Sequence, residues 1–135
     1  MKENVKIEIT GIHKVDGETE KISNSFDGVC MFANGKHFIL YKEQTEDGEI
    51  KTIIKVADDY VDISKKGIQQ SNMNFIAGEL TKSTIKTMYG VMNIDIYTKK
   101  LNIFIKDDFL KIVLGYELKM DESILNSCEM TIVVS

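Results

Sequence analysis

Proline is absent from this 135-residue chain, so every reversal of direction has to be made by other residues. Cysteine is scarce: Cys30 and Cys128 stand far apart, and neither has the close Cys or His neighbours that a zinc site or a redox dithiol requires. Both are read as small buried hydrophobes. No apolar run reaches the length of a membrane-spanning helix, and charges interleave Val5, Ile7 and Ile9 where a signal peptide is continuously apolar. The resulting expectation is a cytoplasmic protein with reduced cysteines and no membrane partner. Basic charge is also short: 17 Lys+Arg stand against 21 Asp+Glu, a net charge of -4. That balance disfavours broad electrostatic binding to nucleic acid. Helix-length amphipathic windows, exact repeats, low-complexity stretches and charge-rich linkers are missing too.

What the chain does have is alternation. A hydrophobic fraction of 43% with 28% charged residues is that of an ordinary globular protein, and the length suits one domain, residues 1–135, able to bury a real core. Val5, Ile7 and Ile9 alternate with polar residues, as do Ile50, Thr52, Ile54 and Val56 and, most cleanly, Met92 to Ile96, Leu101 to Ile105 and Leu110 to Leu118. Period-two patterning reads as half-buried strands. Asp16-Gly17, Asn34-Gly35 and Asp47-Gly48 are hairpin-turn dipeptides between such runs, and Ala77-Gly78 is read as a fourth hairpin. Gly11, where the apolar parity shifts to Ile12, predicts a bulge, and Gly28 a bulge or bend. Asp121 to Asn126 is read as a loop or short helical turn. The fold class is therefore all-β: a single antiparallel meander barrel of about 8–10 strands joined by short connections.

The order of several short motifs resembles the YwiB family of small, uncharacterised bacterial proteins. These motifs are Tyr41-Lys42-Glu43 after an Asn-Gly hairpin, Lys66-Gly67 before a polar strand, Phe75 followed by Gly78, Thr87-Met88-Tyr89-Gly90, Thr98 with Leu101, and Tyr116-Glu117-Leu118. They span nearly the whole chain. The resemblance implies a calycin-like, lipocalin-like barrel and carries no established catalytic residue. Where relatives often have Arg before a glycine and Thr-Pro before another, this chain has Lys66 and Thr87-Met88.

Candidate ligand-binding residues follow from strand geometry. Tyr41 and Glu43 lie two apart, so they share a face. If that face is internal, the carboxylate is available to a ligand or a lysine; if it is at a rim, it is simply wetted. The polar segment from Gln69 to Thr87 sets Gln69, Ser71, Met73 and Phe75 against Thr81, Ser83, Ile85 and Thr87. It is either a wall that offers a small, partly apolar or amphipathic ligand a few directed hydrogen-bonding groups or a polar ribbon that keeps an edge soluble. Tyr41, Glu43, Gln69, Ser71, Phe75 and Thr87 are the residues selected.

Catalytic, metal and cofactor roles find no support in the pattern. His13 and His37 are the only histidines, away from metal-ligand spacing. Ser23, Ser25 and Ser71 have no nucleophile elbow. Asp58-Asp59 and Asp107-Asp108 sit where turns are expected, and neighbours on a strand point oppositely. The expectation is a non-catalytic small-molecule binder. The alternative is an interaction module: Val29, Met31, Phe38, Leu40, Ile53, Phe104 and Val113 fall opposite the inward sets and mark a homodimer or partner face if contiguous. Single-stranded nucleic acid on a Lys51, Lys55, Lys65, Lys66 stripe is a weaker alternative, as is an enzyme.

Overall fold

The computed structural model describes residues 3–120 and 123–135. Among them the chain forms ten strands. These are β1 (Asn4–Val15), β2 (Glu18–Ala33), β3 (Lys36–Thr45), β4 (Gly48–Val56), β5 (Tyr60–Gly67), β6 (Ser71–Ile76), β7 (Leu80–Thr87), β8 (Gly90–Lys106), β9 (Phe109–Met120) and β10 (Ser123–Val134). Hydrogen-bonded neighbours follow the order β6-β5-β4-β3-β2-β1-β10-β9-β8-β7, all antiparallel, with β1 and β10 joining the two halves of the chain. The terminal strands β6 and β7 meet, so the sheet curls into a nearly closed barrel.

Alternation supplies the core. Ile7, Ile39, Val61, Phe75, Ile96 and Ile112 are fully buried, and Phe75 meets Tyr116 edge-on at a centroid distance of 4.9 Å. No helix among the described residues is long and apolar enough to cross a membrane.

Turn chemistry sets the registers. Asp16 and Asn34 adopt φ of 49° and 53°, each followed by a glycine with positive φ, which is the twist a two-residue hairpin needs. Asp47-Gly48 is built differently from the expectation. Thr45 pairs with Gly48, so Glu46 and Asp47 form the loop and Gly48 opens β4 with φ 139°. The Asp47 N–H donates to Thr45 Oγ1 at 3.2 Å. The β7–β8 turn repeats this Thr-x-x-Gly construction: Thr87 pairs with Gly90, the Tyr89 N–H donates to Thr87 Oγ1 at 3.1 Å, and Gly90 has φ 134°.

Other expectations are corrected. Register runs unbroken through Gly11 in both of its ladders and through Gly28 in the β1–β2 ladder, so neither is a bulge. Gly28 is instead a close approach: an added Cβ would strike the Leu40 carbonyl and Ile7 Cδ1. The register shifts lie at Thr98/Lys100 and Ile124/Asn126. The first makes one long strand, β8, out of two apolar runs of opposite parity. The second falls in the expected loop, which from Ser123 onward is strand; Asp121 and Glu122 lie outside the described residues. Ala77-Gly78 does not close a paired hairpin, because β6 and β7 form no ladder, and the one bridge at this seam, Gln70↔Lys86, lies just before β6. Ile22 and Phe32 share a face of β2 with the buried Cys30 and are nevertheless exposed: β3 pairs only with Gly28–Ala33 of β2, and Phe32 lies at the end of the barrel against His37.

Candidate ligand recess and seam cleft

Strands β3, β5, β7 and β9 all run toward one end of the barrel, where their connections to β4, β6, β8 and β10 lie. At that end the backbone ladder fails twice, and each failure makes a concavity. The first is between β2 and β3. Their pairing starts at Ala33↔Lys36 and stops at Gly28↔Tyr41, after which β3 continues to Thr45 beside β4 and the first half of β2 stays with β1. The strands splay, and the close contact at Gly28 is the fork.

Phe26 and Tyr41 bridge this fork as a stacked pair, 4.4 Å between centroids and 19° between planes. With Ile9, Met130, Glu43 and Lys65 they line a recess of about 150 Å³. Burial pushes the Tyr41 phenol above its ordinary pKa of 10, opposed by the Thr52 hydroxyl across the ladder. The phenol is therefore a neutral hydrogen-bonding group at physiological pH. Tyr41 is buried and Glu43 half-buried, two places along the same inward face.

The second failure is the β6–β7 seam. The Gln70↔Lys86 bridge exchanges two backbone hydrogen bonds of 2.8 Å, and no ladder follows it. Side chains take over. Ser83 Oγ donates to the Asn72 carbonyl and Thr81 Oγ1 to the Asn74 carbonyl, each at 2.6 Å. The hydroxyls that read as a ligand wall thus act as the rungs that close the barrel. Where the strands diverge near the bridge, a cleft of about 340 Å³ is lined by Ser64, Lys65, Lys66, Gln70, Ser71, Asn72, Thr84 and Lys86.

The selected residues are distributed as follows. Tyr41 and Glu43 line the recess, and Ser71 lines the seam cleft. Gln69 is half-buried in the β5–β6 connection. Thr87 is exposed and holds the β7–β8 turn. Phe75 is fully buried, packed against Tyr116 in the core. Sequence spacing missed Phe26, Lys65 and Met130, since only the fork between β2 and β3 brings them together. It also missed a cross-strand row, His13↔Cys128↔Tyr116, in which Cys128 Sγ lies 3.3 Å from His13 Nδ1. Burial pushes the Cys128 thiol and the Tyr116 phenol up, so the sulfur is a protonated thiol rather than a thiolate nucleophile.

A family model described as a domain of unknown function, DUF1934, matches residues 7–132. The chain belongs to the DUF1934 family. A relative of this DUF1934 protein is the uncharacterized beta-barrel protein YwiB of Bacillus subtilis (strain 168), 23% identical over 128 residues, spanning 95% of this chain and 90% of the relative. The crystal structure of the ywiB protein from Bacillus subtilis superposes with a TM-score of 0.89 at 22% identity, covering 98% of this chain and 90% of that one. That likeness establishes the DUF1934 barrel as the shared fold.

Proposed function

We propose that this protein is a non-catalytic binder of a small, partly apolar molecule, held in the recess where β2 and β3 part. The observation that carries the reading is the composition of that recess: a stacked Phe26–Tyr41 pair and the apolar Ile9 and Met130, with one carboxylate (Glu43) and one ammonium (Lys65) among the lining residues. Apolar area with a few placed polar groups is what small-ligand sites use. A volume near 150 Å³ admits a group the size of one ring, so a larger ligand projects outward between the splayed strands. The lining residues include no histidine or cysteine, and one carboxylate with one lysine does not make the convergent acid, base and nucleophile of a covalent reaction.

Native mass spectrometry on protein purified from its own host tests this. A retained small-molecule mass that is lost in Met130→Trp, which fills the recess, is the expected result. A retained mass that survives Met130→Trp places the ligand elsewhere and overturns the assignment, as does the absence of any retained mass under gentle ionisation.

A second reading, a homodimer, has its own observation. Val29, Leu40 and Ile53 occupy one cross-strand row on the outer face of β2, β3 and β4, above a groove of about 490 Å³ that Asp27, Lys42 and Lys51 also line. Opposite charges beside an apolar row suit a two-fold contact in which Asp27 of one copy meets a lysine of the other. Phe104 and Val113 lie on β8 and β9, far from this row in the sheet order, and are not part of it. Sedimentation should give a dimer that Leu40→Lys dissociates; a monomer at high concentration excludes it.

A further inference from the structure

We infer that the cleft at the β6–β7 seam is a binding site for a small oxyanion, a phosphate group carried by a low-molecular-weight ligand. It goes beyond the proposed recess and stands on a different wall, although Lys65 borders both. Three lysines, Lys65, Lys66 and Lys86, line a cleft of about 340 Å³ in a protein of net charge -4. Among the described residues the one ion pair joins Lys99 to Glu117, so none of the three ammonium groups is neutralised by a carboxylate of the protein. Between them stand the neutral polar groups of Ser64, Gln70, Ser71, Asn72 and Thr84. No acidic residue is in the lining.

The backbone adds donors. Gln70 exchanges hydrogen bonds with Lys86, and strand alternation turns the N–H and C=O of Asn72 to the same side. The Asn72 carbonyl is taken by Ser83 Oγ. Its N–H faces β7, where no ladder follows the bridge to receive it. On the outer row Asp62 accepts hydrogen bonds from Asn72 Nδ2 at 2.8 Å and Ser64 Oγ at 3.2 Å. That carboxylate fixes the orientation of two lining side chains and is outside the lining itself. Residues from both faces of the sheet contribute: Lys65 and Ser71 are an inward pair, Ser64 and Asn72 an outward one. The cleft therefore cuts into the wall, where a compact anion meets ammonium groups, the Gln70 side-chain amide and a backbone N–H together, the Asn72 amide being engaged with Asp62 and Ser64. Such charge-assisted contacts favour phosphate. Its volume fits a small ligand rather than a tracking groove.

Titration of the full chain with inorganic pyrophosphate at fixed ionic strength, followed by amide chemical shifts, is the test. Saturable shifts confined to the lining, at Ser64–Lys66, Gln70–Asn72, Thr84 and Lys86, are expected. Lys66→Gln and Lys86→Gln, both at exposed positions, should each weaken binding about tenfold, while Lys21→Gln and Lys106→Gln, exposed and outside the cleft, leave it unchanged. Lys65 stays intact so that loss of the recess and loss of the cleft are separable. Non-saturating shifts, equal losses in all four variants, or binding seen only with a single-stranded oligonucleotide would each overturn the proposal.

Discussion

Closure of the barrel by side-chain hydroxyls predicts a specific weakness. Removing the hydroxyl in Ser83→Ala, or replacing it by a methyl in Thr81→Val, leaves the Asn72 or Asn74 carbonyl without its 2.6 Å donor. Ser83 is only 6% exposed, so water replaces that donor poorly. The net worth of one such bond is about 1 kcal/mol, and stranding a buried acceptor raises the loss to as much as ~3 kcal/mol. Unfolding entropy near 2.1 cal/mol/K per residue makes each kcal/mol worth about 3–4 °C in Tm for a chain of this length. Ser83→Ala should therefore lower Tm by about 4–10 °C and Thr81→Val, half-buried and with the Ile96 carbonyl 3.5 Å away as a second acceptor, by about 3–5 °C. Hydrogen exchange should accelerate in β6 and β7 before the rest of the barrel. Thr84→Ala is the control, because that hydroxyl bonds Asn93 Oδ1 at an exposed position and its loss stays within about 0.5 kcal/mol. If Ser83→Ala and Thr81→Val unfold at the parental denaturant midpoint and β6 exchange is unchanged, the hydroxyls are not structural rungs and the seam is held by core packing alone.

Gly90→Ala isolates backbone conformation, since no atom lies within 4 Å of the added Cβ and only φ 134° opposes it; a loss of about 1–2 kcal/mol is expected by urea denaturation, and a neutral result would refute the turn geometry. Phe75→Ala should cost about 3–5 kcal/mol, because the ring is fully buried against Tyr116; a cost under about 1 kcal/mol by the same measurement would mean that the core does not depend on it. Burial lowers the His37 pKa below its ordinary 6.5, so below that pH the unfolded chain takes up a proton that the fold resists, and stability falls as pH drops. His37→Asn should flatten the decline in denaturation midpoint between pH 7 and 5; an unaltered slope would assign the decline to other groups.

Periodicity carried the all-β class, the strand count and most inward faces, because a half-buried strand writes its orientation every second residue. The runs from Met92 to Ile96 and from Leu101 to Ile105 show the limit. Ile94, Ile96, Leu101 and Ile103 all pack in or against the core, yet the opposite parity of the two runs records a bulge at Thr98/Lys100 inside one strand rather than a turn between two. Ser83 and Thr81 show another. A hydroxyl on an inward face has the same sequence signature whether it awaits a ligand or donates to a carbonyl across a seam, and only the sheet order tells which. Tyr41 and Glu43 were legible as a pair because they sit on one strand. Phe26 was not legible as their partner, since it reaches Tyr41 from β2 past the last paired residues. Long-range register, rather than local pattern, makes the recess.

Both concavities arise where the ladder gives out, and both lie toward the same end of the barrel. A ten-stranded sheet that paired fully would bury every backbone group and leave an interior filled by alternating side chains. Here Phe75, Val56, Val61 and Leu110 fill the opposite end completely, while the fork at Gly28–Tyr41 and the seam beyond Gln70–Lys86 leave the other end incompletely paired. Stability is thus concentrated where the side chains are largest and least polar. Residues beside the two gaps either line the concavities, as Tyr41, Lys65 and Ser71 do, or bridge the gap, as Ser83 does. A substitution that restored the missing ladder would strengthen the barrel and close both concavities together. Opening the seam with Ser83→Ala should do the reverse, loosening the wall of the lysine cleft without touching a lysine. Pyrophosphate should accordingly bind Ser83→Ala more weakly than the parent, whereas the recess, which shares only Lys65 with the lining of the cleft, should keep its shape.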